Sequence, residues 1–248
     1  MRIQVFIFNY AIFRKAYDLY ENLTNIGADT FLLNCHHKDD PEFEETDRIK
    51  KYGNIYYSGL WNKALELSDA DVILLINSDV TIFDYNRLMV RLTDFYKKHG
   101  DKAGIYAPNF HWTPWTYNPY MLEDLGDGVK KVPATDSTIW SLSTSISNKV
   151  GPMDLNINLF GWGIEVIAAY YCALEGKIVA RDYGIRCAHP KATAYNRGTA
   201  DRQWRTMVAK MNLGQGFWDY YNSRDRYGFG WMGDDNPEKF RIKKIKYV

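Results

Sequence analysis

The segment ADVILLINSDV, residues 70–80, decides the fold. Asp71 to Ile76 contains the unbroken apolar run VILLI, too short for a helix of ordinary length and bounded by polar residues. It reads as a strand buried on both faces. It stops at Asn77-Ser78-Asp79, a polar group placed where such a strand delivers its chain to the sheet edge. Upstream, Arg2 to Phe8 is a second β-rich apolar run that ends at Asn9-Tyr10. Residues 11–26 space apolar side chains as a helix does, and Gly27 stops them. Thr30 to Leu33 predicts another short strand, followed by a polar loop from Asn34 to Asp40, and residues 59–68 predict a helix. Downstream, a helix over 84–99 ends at Gly100, and Ala103 to Ala107 is one more strand.

Strands and helices thus alternate through the first half. That pattern predicts an α/β domain with a mostly parallel central sheet flanked by helices. Ligands of open α/β sheets bind beyond the carboxyl ends of the strands. Asn9, Asn34 and Asn77-Ser78-Asp79 all stand at such ends. The second half is less regular. Residues 108–135, rich in Trp, Tyr, Pro and Gly, read as a long loop. Thr138 to Ile146 predicts a strand, Gly161-Trp162-Gly163 opens a helix reaching about Leu174, and Lys177 to Ala180 predicts a further strand. Residues 199–212 are helical, and an aromatic, glycine-rich tail begins at Gly214. The expected organisation is a single domain over 1–248. Its parts are a first half (1–107), a second half (108–190) and a C-terminal helix and tail (191–248).

Composition sets the bounds. The 248 residues carry a net charge of +1, which gives no reason to expect nucleic acid as a partner. Aromatic residues make up 16%, with 19 Tyr and 8 Trp, so some must line clefts, where a flat apolar face with a polar edge suits sugars and bases. An aromatic-rich core is the alternative explanation. Three cysteines without a CxxC pair read as reduced thiols of a cytoplasmic protein. No signal-peptide pattern opens the sequence. The basic stretch KFRIKKIKYV, residues 239–248, is either a solvated tail or a contact for an anionic membrane surface.

Three short motifs carry chemistry. In INSDV, residues 76–80, Asp79 can hold a divalent cation against a diphosphate, because hard cations want oxygen ligands. The plain alternative is an Asx-type turn. In FGWGIE, residues 160–165, two glycines let the chain turn tightly around Trp162 and place Glu165 in the first turn of a helix. A helix-dipole role for that acid is the alternative. In CAHP, residues 187–190, His189 follows a strand and precedes Pro190.

Taken in order, these motifs resemble the GT-A glycosyltransferases, especially their family-2-like group, over roughly residues 2–190. FIFNYA matches the first nucleotide-contacting strand end. LLNCHHKDD matches the base-binding loop, with Asn34 in the usual Asp position. GLWNKAL keeps Asn62, Ala64 and Leu65 of the next motif, with Trp61 in the usual Arg position. Asn77-Ser78-Asp79 matches the DXD element and keeps its last acid. VGPMDLNINLFGWGIE, residues 150–165, matches the segment that ends in the catalytic acids, with Val166 replacing the final Asp. His189 matches the late metal-ligating histidine.

The resemblance implies a nucleotide-diphosphate-sugar donor, UDP-linked by default, and a glycan or other hydroxyl acceptor. It implies Mn2+ or Mg2+ held by Asp79 and His189, and Glu165 as general base of an inverting transfer. Asn9, Tyr10, Asn34, Trp61, Asn62, Asn77, Ser78 and Asp79 would line the nucleotide-sugar site, with Trp61 either stacked on the base or packed in the core. Trp162, Gly163, Trp115 and Asp154 would meet the acceptor. Trp112 with Trp115, and the stretch 227–235, are candidate lids. A retaining transferase on the same scaffold and a non-catalytic nucleotide- or sugar-binding module are the alternatives. The sequence argues against a dinucleotide-dependent oxidoreductase, because NYAIFRK and no G-x-G-x-x-G turn follows the first strand.

Overall fold

The computed structural model describes residues 1–10, 12–35, 44–111, 116–190 and 196–229. Its strands are β1 (Ile3–Asn9), β2 (Asp29–Asn34), β3 (Ile49–Lys51), β4 (Val72–Asn77), β5 (Thr81–Ile82), β6 (Ala103–His111), β7 (Asp124–Gly126), β8 (Val129–Lys131), β9 (Ile139–Ser143) and β10 (Ile178–Ala188). Its α-helices are α1 (Phe13–Asn25), α2 (Tyr56–Leu67), α3 (Tyr85–His99), α4 (Thr144–Val150), α5 (Ile164–Leu174), α6 (Arg197–Lys210) and α7 (Gly214–Ser223).

One sheet runs through the molecule in the order β3-β2-β1-β4-β9-β6-β10-β8-β7, with β5 pairing to β10. The first four are mutually parallel. β9 then enters antiparallel to both β4 and β6, and β6 and β10 are again parallel. The register places Asn9 opposite Asn34 and Phe8 opposite Asn77, so the three polar strand ends lie side by side.

The apolar run of β4 is continuous because both faces of the strand are covered. Ile73 and Leu75 join Phe6, Phe8, Leu33, Trp140 and Ile167 in one core. Val72, Leu74 and Ile76 join Val5, Ile7, Leu19, Leu88 and Leu92 in the other. Each such aliphatic side chain taken out of water contributes about 1.5–3 kcal/mol, so β4 anchors the two layers together. The three cysteines are buried thiols, none of them in a disulfide. No described helix is long and apolar enough to cross a membrane.

Several elements differ from the sequence expectation. The long loop contains the β7–β8 hairpin, and the strand expected to reach Ile146 stops at Ser143, where α4 begins. β10 runs on to Ala188 rather than ending at Ala180, and Gly214 opens α7 instead of an irregular tail. The extension of β10 matters most, because it carries the chain directly to His189. Its irregular register against β6, between Asp182 and Arg186, broke the alternation by which the sequence would have revealed it.

Candidate active site at the strand ends

The shortest route to the site runs through β5. Thr81 and Ile82 pair antiparallel with Ala188 and Cys187. That two-residue ladder clamps the segment after β4 to the end of β10, so Asp79 and His189, 110 positions apart in the chain, must meet. They do, with Asp79 Oδ2 lying 3.1 Å from His189 Nε2. The turn is held by Asn77 N–H on Thr138 O (2.9 Å) and Ser78 N–H on Phe8 O (2.9 Å). Lys15, in the first turn of α1, donates from Nζ to the Asp79 carbonyl at 2.6 Å. Asp79 Oδ1 is buried and has no hydrogen-bond partner among the described residues. Burial works against a charged His189. The hydrogen bond and charge of Asp79, reinforced by Asp136, outweigh it and raise the imidazole above its ordinary range.

Glu165 stands on the first turn of α5. The two glycines before it are required by their surroundings. Gly161 and Gly163 have φ of 75° and 84°, in the left-handed region where glycine is favoured. A side chain on Gly161 would collide with the Tyr57 ring, and a Cβ on Gly163 would lie 2.8 Å from the Trp204 indole. The tight turn buries Glu165 to 7% exposure and leaves Oε2 without a hydrogen-bond partner among the described residues. Burial pushes its carboxyl up to about 8. The Asp136 charge adds to the rise, while the Glu165 and Gly163 backbone N–H groups and the Arg224 charge oppose it.

Asp136 is the site residue that the sequence reading missed. It is 8% exposed and stands just before β9. Its Oδ1 accepts from Thr138 N (3.0 Å) and Thr138 Oγ1 (2.5 Å). Its charge favours the protonated form of both His189 and Glu165. Tyr57 braces the same place. Its hydroxyl donates to Ser137 O at 3.2 Å and accepts from Trp140 Nε1 at 3.1 Å, while its ring packs on Gly161 and edge-on to Phe8. The available signal was an acid in TDSTIW immediately ahead of a buried strand, the mirror image of the acid that follows β4 in INSDV.

The remaining expected residues divide. Trp61 is fully buried, donates from Nε1 to Gly151 O at 2.9 Å and stacks on Trp140. It is a core residue, and the alternative in which it stacks on a base is overturned. Asn62 pairs its amide with both backbone groups of Met153 and so fixes the loop before α5 rather than opening toward a ligand. Asn9 and Asn34 are fully buried and hydrogen-bond each other at 2.9 Å, so their side chains brace the loop at the strand ends. Ser78 is buried. Asp154 is exposed and caps a local turn by accepting from Asn156 N–H at 2.9 Å. Trp162 is half-buried beside Gly163, and its carbonyl accepts from Asn158. Tyr10 is 37% exposed and stacks on Tyr56, whose φ of 52° is a strained value for a tyrosine. Trp112, Trp115 and most of the stretch 227–235 lie outside the described residues, as do the basic stretch 239–248 and residues 36–43 of the second loop.

The architecture matches solved structures over nearly its whole length. GalNAc-T7 with UDP, GalNAc and Mn2+ superposes with a TM-score of 0.59 over 98% of this chain at 9% identity. The mannosyltransferase PcManGT from Pyrobaculum calidifontis, in complex with GDP-Man and Mn2+, does so with a TM-score of 0.58 over 92% at 10% identity. The fold is GT-A. The chain spans 54% of the GalNAc-T7 structure and 70% of the mannosyltransferase. No protein-family model matches the sequence, and no curated protein does. Within the GT-A frame, the Asp79–His189 pair offers one carboxylate and one imidazole. That mixed donor set suits Mn2+, and the orphaned Asp79 Oδ1 gives it a lone pair to use. Among the described residues no third His, Cys, Asp or Glu joins the pair in a ligand cluster, so the remainder of a metal shell would fall to substrate oxygens and water.

Proposed function

We propose that the chain is a metal-dependent glycosyltransferase that moves a sugar from a nucleotide-diphosphate donor to a hydroxyl acceptor with inversion. The observation that carries this is the meeting of Asp79 and His189 at the strand ends. The GT-A fold supports it, as do the UDP, GDP-Man and Mn2+ held by the two matching structures.

In this reading Asp79 and His189 hold Mn2+ or Mg2+. When bound, the ion supplies Lewis-acid stabilisation of the departing diphosphate. Lys15, already at the Asp79 carbonyl, brings a second positive charge to the same place. Tyr10, stacked on Tyr56, offers the exposed aromatic face for the nucleoside, with UDP as the default, while Asn9 and Asn34 hold the loop beneath it. Asn77 and Ser78 set the turn that presents Asp79. Trp162 and Gly163 would meet the acceptor, and Asp154 and Trp115 are kept as acceptor contacts on the resemblance alone.

Glu165 takes the acceptor proton. A carboxyl with proton affinity near pH 8 is a much stronger base than an ordinary carboxylate, and it is well matched to neutral operation. The cost is that at pH 7 most molecules hold it protonated, so the reacting fraction grows as pH rises. Dryness around Glu165 serves a second purpose, because water at that oxygen would hydrolyse the donor. The three buried thiols fit a reducing compartment, and we place the protein in the cytoplasm.

The test is transfer itself. With a donor and acceptor found by screening UDP- and GDP-sugars, NMR of the product should show an inverted anomeric centre. Retention of configuration would assign the chain to the retaining alternative. Absence of any transfer, with donor still bound, would favour the binding-module alternative.

A further inference from the structure

The turn that leads into Glu165 is gripped by a helix to which neither the sequence nor the mechanism above gives a role. Asn158 closes the turn from within. Its Oδ1 accepts from Gly161 N–H at 3.1 Å, and its Nδ2 donates to the Trp162 carbonyl at 2.9 Å. From the start of α2, Ser58 N–H donates to Leu159 O at 3.2 Å and the Tyr56 ring stands edge-on to Phe160. From α6, Gln203 Oε1 accepts from Leu159 N–H at 3.1 Å and from Phe160 N–H at 3.4 Å. One helical turn on, Met207 Sδ accepts from Asn158 Nδ2 at 3.1 Å. Trp204 lies so close to Gly163 that a Cβ there would meet its indole at 2.8 Å. Residues three and four apart are neighbours on a helix surface, so 203, 204 and 207 bring one face of α6 onto the turn. Gly163 is two residues from Glu165, and its N–H acts on the Glu165 carboxyl, so a shift of the turn is felt at the acid.

We infer that Gln203 is a positioning residue for the transfer: by holding the backbone at Leu159 and Phe160, it keeps the Gly161–Gly163 turn in the form that buries Glu165. This rests on the proposed role of Glu165 as base. The physical reason lies in the two N–H groups. A backbone donor deprived of its acceptor must find another, and at a loop that partner is water. Water drawn to the start of the turn loosens what Asn158 and Trp204 hold, and Glu165 is then hydrated. Burial is the leading cause of its raised proton affinity, so hydration brings the carboxyl back toward its ordinary range and spoils its orientation.

The test compares Gln203→Met, which keeps the shape and loses the acceptor, with Gln203→Glu, which keeps an acceptor oxygen. The Glu165 carboxyl would be followed by NMR of the full chain carrying 13C-labelled glutamate, its signal identified by its loss in Glu165→Gln. It should titrate near pH 8 in the wild type. Gln203→Met should move that midpoint down by about one pH unit or more and lower kcat by about tenfold or more, with Mn2+-dependent binding of UDP or GDP as in the wild type. Gln203→Glu should restore both the midpoint and kcat. A wild-type midpoint in Gln203→Met would overturn the inference, even with transfer observed. So would equal shifts in the two variants, because the acceptor oxygen would then not be what matters. Should Gln203→Met fail to fold, amide exchange of the wild type decides: the Leu159 and Phe160 N–H groups should exchange slowly, and exchange as fast as in an exposed loop would overturn the inference. Absence of transfer by the wild type, with the titration shifting as expected, would strike the glycosyltransferase reading and the positioning role with it.

Discussion

Two carboxylates of this chain are buried almost equally and live very differently. Asp182, in β10, is fully buried and accepts four hydrogen bonds: Arg91 Nε at 2.5 Å, Arg91 Nη2 at 2.9 Å, Tyr106 Oη at 2.6 Å and Gly184 N–H at 2.8 Å. Glu165, in α5, is 7% exposed and leaves Oε2 without a partner among the described residues. A dry carboxylate surrounded by donors is a structural bolt. One left short of donors is held at a cost in stability, which the fold tolerates where a reactive acid is needed. In the proposed mechanism this difference, rather than burial, separates the scaffold acid from the base.

The comparison can be broken in several ways. Glu165→Gln should lower the transfer rate by about 10²–10⁴-fold while leaving the fold intact; measured kcat within a few-fold of wild type would remove Glu165 from the mechanism. Asp182→Ala should do the reverse. Stripping a buried charge network of one partner costs about 3–5 kcal/mol, reduced here because Arg91 is partly exposed. Urea unfolding should show that loss, with activity per folded molecule unchanged.

A pH series sharpens the contrast. In the unfolded chain the Glu165 carboxyl ionises near its ordinary 4.5, whereas in the fold it keeps its proton to about 8. The unfolded state therefore sheds this proton first. Wild-type stability should fall relative to Glu165→Gln as pH rises from about 4.5 to 8, by an amount on the order of 1 kcal/mol or more. Parallel stability curves for the two proteins would contradict the raised proton affinity. In the same window, wild-type transfer should increase with pH as Glu165 ionises. The smallest effect on function belongs to Trp61→Phe, which loses one indole hydrogen bond and some core volume. It should destabilise by about 1–3 kcal/mol and leave donor affinity alone, in keeping with a core rather than a base-stacking residue.

How much of this was legible in the sequence follows from how each feature is encoded. β4 and β1 were readable because burial on both faces forces an unbroken apolar run. Asp79, Glu165 and His189 were readable because each lies beside a strand end or a glycine turn with a local signature. The meeting of Asp79 with His189 was not, since it depends on the two-residue β5 pairing, too short to leave a pattern. Trp61 and Asn62 misled because a motif position fixes where a residue falls in the fold, not which way its side chain turns. Asp136 escaped because its charge acts on residues 29 or more positions away, with only an acid before a strand to announce it.

The most direct test of the central claim, that Asp79 and His189 together hold a metal-bound nucleoside diphosphate, is Mn2+-dependent binding of UDP and GDP to the full chain by calorimetry. The account predicts that the preferred diphosphate binds only with Mn2+ or Mg2+ present, that Asp79→Asn or His189→Ala abolishes that binding, and that Glu165→Gln preserves it. Diphosphate binding that ignores the metal, or that survives loss of both Asp79 and His189, would contradict it.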